Sequence, residues 1–128
     1  MSKKETPLTR AFWKNTGGTL IEEFPVVRRG PHHGPRLIDG VIIVDGPFRI
    51  ARPSEVSLEG KDLICIQTKA SRLGMSLMGQ ALFSKKLLEK YVRPKSVRSV
   101  ALCVRTDQVL EPLLAEFGVE VVVLEGEI

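Results

Sequence analysis

The sequence predicts an α/β domain built on a mixed central β-sheet flanked by helices, and three features of its 128 residues predict it. Strand-like apolar runs follow one another through the first half. After Gly74 the apolar period lengthens from that of a strand to that of a helix. In the second half strands and helices alternate, which favours parallel crossovers, whereas consecutive strands allow an antiparallel meander. The length suits one domain spanning residues 1–128.

The elements follow in order. In "PLTRAFWKNTGG" Leu8, Ala11 and Phe12 share helical spacing, and the Gly pair suits a C-cap. "TLIEEFPVV" reads as a strand with two carboxylates in its middle, and "RRGPHHGPR" as a turn or hairpin tip. "LIDGVIIVDG" is a second strand, while "PFRIARPSEVSLEG" is a loop or short edge strand broken by Pro47 and Pro53. Residues 61–70 form the third strong strand. Leu77, Met78, Ala81, Leu82, Leu88 and Tyr91 then mark one apolar helix face, which Pro94 terminates. "SVRSVALCV" is a strand, "TDQVLEPLLAEFG" a helix with Thr106 as its cap candidate and Gly118 as its stop, and "VEVVVLEGE" a last strand.

Composition narrows the function classes. Hydrophobic residues at 43% and charged residues at 27% are ordinary globular values, which disfavours disorder or a fibre. No apolar run is long enough to cross a membrane, and "MSKKETPLTR" is charged and Pro-broken where a signal peptide needs an apolar stretch, so no membrane partner and a cytoplasmic location are expected. Cys65 and Cys103 lie inside apolar strands and read as packing residues. Aromatic content of 5% argues against a base-stacking platform of the OB type. Trp13 reads as a packing residue, and His32 and His33 as part of a surface loop.

The net charge of +4 is unevenly spread. Nine basic residues and one acidic residue occupy 69–105, and six acidic residues with no basic one occupy 106–128. This distribution fits a polyanion-facing side and a solvated opposite side, with a soluble basic helix as the plainer alternative.

Polar groups end two of the strands. Gln67 and Lys69 share a strand face with Leu63 and Cys65, and Asp39 shares one with Leu37, Val41 and Ile43. If the two strands are neighbours, a carboxylate, an amide and an ammonium converge, at a desolvation cost unless they satisfy one another or hold a ligand. Carboxylate and amide oxygens suit Mg²⁺ or Mn²⁺, and Lys69 would add positive charge for a phosphate. Glu22 or Glu23 offers a second carboxylate. The two point to opposite faces, and the register that chooses between them stays open.

These residues, Glu22 or Glu23, Asp39 in "RLIDGVII", and Gln67 and Lys69 in "ICIQTKA", in this element order, resemble the PD-(D/E)xK phosphodiesterase superfamily of restriction endonucleases, junction resolvases and helicase-associated nucleases. The resemblance covers roughly residues 8–105. It implies a restriction endonuclease-like αβββαβ core, here with an added helix and strand. It also implies one or two divalent metals held by Asp39, Gln67, one of Glu22 and Glu23, and the carbonyl of Thr68. Lys69 would assist the attack of water on the phosphodiester, and Gln80 stands where the family often carries a helix glutamine. Four departures are visible: Ile38 and not proline precedes Asp39; Gln67 replaces the commoner acidic residue, which weakens metal affinity; an insertion separates Asp39 from Gln67; and Ser84 stands where helicase-associated members carry tyrosine.

The expected activity is that of a divalent-metal-dependent nuclease on nucleic acid, DNA ahead of RNA, with Arg72, Lys85, Lys86 and Lys90 holding flanking phosphates. The alternative is a non-catalytic module that keeps the nuclease fold and binds nucleic acid or a protein partner. A homodimer mate or partner protein is the expected source of specificity in so short a chain.

Overall fold

The computed structural model describes residues 3–124. Its elements are α1 (Glu5–Thr16), β1 (Thr19–Val27), β2 (Arg36–Ile43), β3 (Arg49–Ala51), a 3-10 turn (Pro53–Glu55), β4 (Asp62–Arg72), α2 (Met75–Tyr91), β5 (Ser96–Arg105), α3 (Leu110–Glu116) and β6 (Val119–Val123). Residues 125–127 of the expected last strand, with Glu125 and Glu127, lie outside the described residues.

One six-stranded mixed sheet runs in the order β3-β1-β2-β4-β5-β6. β1, β2 and β4 form the antiparallel meander, and β4, β5 and β6 are parallel to one another through the α2 and α3 crossovers. The stretch expected as a loop or edge strand supplies β3, which pairs parallel with β1 at the sheet edge.

Strand alternation divides the core between two faces. Ile64 and Ile66 of β4 join Leu20, Ile42, Val100 and Leu102 beneath Leu8, Phe12 and Trp13 of α1. Leu63 and Cys65 point the other way, to the cluster that contains Leu88 of α2. Beside it, Leu77 and Ala81 of α2 pack on Ala101, Cys103 and Leu114. Full burial of each Leu or Ile contributes about 1.5–3 kcal/mol, so the central rows of β4 and β5 dominate the driving force. Trp13 is a packing residue: its indole N–H donates to Gly18 O at 2.7 Å, and its ring stacks on Phe48 at 4.3 Å. Both cysteines are buried, unlinked thiols, and burial pushes that of Cys65 up to about 12.

Several local expectations need correction. α1 begins at Glu5 and not at Pro7, because proline is tolerated in a first helical turn; Ala11 is exposed. Tyr91 leaves the apolar face of α2 and is 56% exposed, with the Lys90 ammonium 5.5 Å from its ring centre. At α3, Asp107 caps in place of Thr106, its Oδ1 accepting the N–H groups of Val109 and Leu110, which lowers its pKa. Thr106 instead donates its hydroxyl hydrogen bond to Glu111. The hairpin tip is as expected, closed by a bridge between Gly30 and His33.

Candidate functional site: a strand fork at Asp39

The β2–β4 ladder runs from Ile43↔Leu63 to Gly40↔Ile66 and stops there, while β1 accompanies β2 onward to Arg36. The sheet therefore forks at Asp39. One further step of the register sets Asp39 opposite Gln67, and the pairs flanking Glu23 set that residue opposite Asp39 on the other side. A row of Glu23, Asp39 and Gln67 thus crosses three adjacent strands.

Side chains take over where the backbone ladder ends. The N–H of Thr68 donates to Asp39 Oδ2 at 2.9 Å, and the N–H of Asp39 donates to Gln67 Oε1 at 3.4 Å. Gln67 Nε2 donates to Ser84 Oγ of α2 at 2.6 Å. These bonds satisfy the polar groups at the fork and fasten both strands to the helix. Gln67, expected as a metal ligand, is buried with its amide oxygen turned toward the backbone of Asp39.

On the opposite face α1 docks by polar contacts as well. The hydroxyls of Thr9 and Thr68 share a hydrogen bond of 2.7 Å, and the N–H of Ala70 reaches Glu5 Oε2 at 3.5 Å. Thr68 is thereby engaged through its N–H and its hydroxyl.

Asp39 is half-buried, and its pKa is raised. Desolvation is the largest cause, the Thr68 N–H opposes it, and the charges of Glu5 and Glu23 push it further up. The charge of the amino terminus acts against this rise.

The structure separates the two adjacent glutamates. Glu22 forms a bidentate pair with Arg10 of α1, at 2.8 and 3.0 Å. Glu23, exposed and held at φ 49°, is the one whose charge reaches Asp39. A left-handed conformation at a residue with a Cβ costs about 1–2 kcal/mol, and here it falls in the row that contains Asp39. Glu5 joins this acidic group unforeseen, because the helix pattern was legible only from Pro7 onward. Its spacing of four residues from Thr9 is the signal that would have placed it on the sheet-facing side of α1.

Lys69 is exposed, beyond Gln67 and beside Cys103 in the β4–β5 ladder. Among the described residues no carboxylate forms an ion pair with it.

The residues expected to hold phosphates do not form one patch. Gln80 lines a cleft of about 400 Å³ with Asp39 and Gln67, between the β1–β2 hairpin and α2. Lys86 is exposed on α2, and Lys90 lines a different cavity with Phe24, Leu58 and Tyr91. Lys85 turns toward the end of α3, with its ammonium beside Gly118. Arg72 lies at the far end of β4, opposite Arg105.

Among the described residues no three His, Cys, Asp or Glu side chains form a ready-made cation site. Asp39 with Glu5 or Glu23 supplies hard oxygen donors only, which suits a Mg²⁺-like ion that is held by one or two carboxylates and completed by water and phosphate.

Among the described residues no helix is long and apolar enough to cross a membrane. No protein family, no curated protein and no solved structure matches the chain.

Proposed function

We propose that the chain is a divalent-metal-dependent phosphodiesterase acting on nucleic acid, with DNA as the expected substrate and a restriction endonuclease-like core. The observation that carries this reading is Asp39: a half-buried carboxylate at a strand fork, with its pKa raised by desolvation and by two further carboxylates. Such a group is stabilised by a bound cation. Asp39, with Glu5 or Glu23, would hold Mg²⁺ or Mn²⁺, and the ion would supply Lewis acidity toward a phosphate and a lowered pKa for water.

The chain's own residues do the rest. The N–H of Thr68 fixes the Asp39 carboxylate, and Gln67 with Ser84 holds the fork against α2. Lys69, exposed two residues beyond Gln67, brings an ammonium for the charge that develops on phosphate. Lys86 and Lys90, exposed on α2, would offer positive charge to flanking phosphates.

A second reading has its own support. The Gln67 amide is engaged on both sides, by Asp39 and by Ser84, which favours a non-catalytic module that binds nucleic acid or a protein without metal. Incubation with linear, circular, branched and single-stranded substrates in Mn²⁺ against EDTA tests the proposal. Metal-dependent cleavage that vanishes in Asp39→Ala and Lys69→Ala supports the nuclease. Undiminished cleavage in either variant sinks it, and binding indifferent to metal supports the second reading.

A further inference from the structure

We propose that the cleft between the β1–β2 hairpin and α2 seats an unpaired nucleobase against Phe83, so that the chain takes nucleic acid with single-stranded character. This rests on the nucleic-acid reading above and adds the class of substrate.

A nucleobase has two flat apolar faces and a polar edge, and the cleft has matching parts. Phe83 is 64% exposed and Leu37 52% exposed, unusual values for large apolar side chains. They line the same cleft of about 400 Å³, one from α2 and the other from the hairpin. Gln80, three residues before Phe83 and therefore on the same side of the helix, brings an amide that both donates and accepts. Arg36 stands in the cleft wall, its guanidinium held by the carbonyls of Gly34 and Pro35 at 3.4 and 3.1 Å, which fixes a positive charge where a backbone phosphate would pass. Asp39 lines the same cleft, so a base seated on Phe83 lies beside the acidic fork.

A paired base in a duplex keeps both faces stacked on its neighbours and its edge occupied, so it cannot enter between a hairpin and a helix without leaving the helix stack. An unpaired base needs no such step. The low aromatic content excludes a long stacking platform, and one ring suffices for one base.

The test is binding of labelled oligonucleotides to the full chain in EDTA, read by fluorescence anisotropy, with a single strand and a blunt duplex of the same sequence. The single strand should bind more tightly. Phe83→Ala should weaken single-strand binding by roughly five- to 150-fold, the span that corresponds to loss of one base–aromatic stack, and leave duplex binding unchanged. Phe83→Trp should retain affinity and gain an indole signal that is quenched as the single strand is added. Equal single-strand affinity in the wild type and Phe83→Ala overturns the proposal, as does a preference for duplex. Because binding is read in EDTA and cleavage in Mn²⁺, loss of the base seat and loss of the nuclease reading are separate results. A catalytically silent chain that still needs Phe83 for single strands keeps the seat and discards the enzyme.

Discussion

The N–H of Thr68 donates to the carboxylate of Asp39 at 2.9 Å, across a gap where the backbone ladder between their strands has already ended. A side chain thus does the work of a strand, and it does so with an acid that the surrounding protein disfavours in its charged form. The same bond orients the carboxylate and leaves the fork open beyond it.

Protonation of Asp39 should therefore favour the folded state. Its folded pKa lies above the ordinary 3.8, so over that interval the native chain binds more protons than the unfolded one. The contribution of this residue is largest below pH 3.8 and is lost as pH rises through the raised value. Asp39→Asn, which keeps an oxygen for the Thr68 N–H, should remove that loss. Urea unfolding at acid and neutral pH checks this: the stability difference between the variant and the wild type should shift toward the variant as pH rises.

A cation at the fork should act in the same direction at neutral pH. Mn²⁺ should raise the melting temperature of the wild type, leave Asp39→Ala unmoved and lose its effect in acid, where the proton competes. Scanning calorimetry at two pH values is the measurement, and an equal metal-induced shift in the alanine variant would show that the ion binds elsewhere.

Gln67 and Ser84 should behave as a coupled pair. Ser84→Ala leaves the buried Gln67 Nε2 without its acceptor and should cost about 1–3 kcal/mol, and Gln67→Leu strands the Ser84 hydroxyl with a comparable penalty. The double variant should cost less than the two together. A double-mutant cycle in urea reads the coupling directly, and simple additivity would mean that the bond holds nothing.

Lysines on α2 should separate by position. Lys86→Ala and Lys90→Ala should each reduce the slope of log affinity against log salt for nucleic acid by about 0.7–0.9, the effect of one lost phosphate contact. Lys85→Ala, whose ammonium lies by Gly118, should leave the slope unchanged. Titrations at several salt concentrations distinguish the three.

Gly18→Ala should be among the most damaging single changes outside the site. Gly18 has φ +83°, and a Cβ there would lie 2.5 Å from Ile43 O, so the conformational penalty of about 1–2 kcal/mol is a lower bound. Thermal unfolding measures it.

The alignment of Asp39 with Gln67 was legible because a strand has a period of two and the three strong runs are consecutive, which makes them neighbours. The Gln67 partner was not legible. Which α2 residue lies over Gln67 depends on the angle at which the helix crosses the sheet, and no one-dimensional period encodes that angle. For the same reason the position of the Lys85 ammonium beside Gly118 was not legible. The pairing of Glu22 with Arg10 was not legible either, because the position of α1 over β1 is a tertiary fact. Thr106 and Asp107 are both good caps, and only the start of α3 at Leu110 selects Asp107.

The position of β4, antiparallel to β2 on one side and parallel to β5 on the other, has a kinetic consequence. The β1–β2 hairpin is local and of a kind that closes in about 1–10 μs, whereas β4 must await a longer chain closure and β5 a whole helical crossover. Asp39 meets Thr68 only when β4 pairs with β2, and the longer closure that β4 requires predicts that the penalty for drying that acid falls late on the folding route. Relieving it should slow the disassembly of the native chain far more than it hastens its formation.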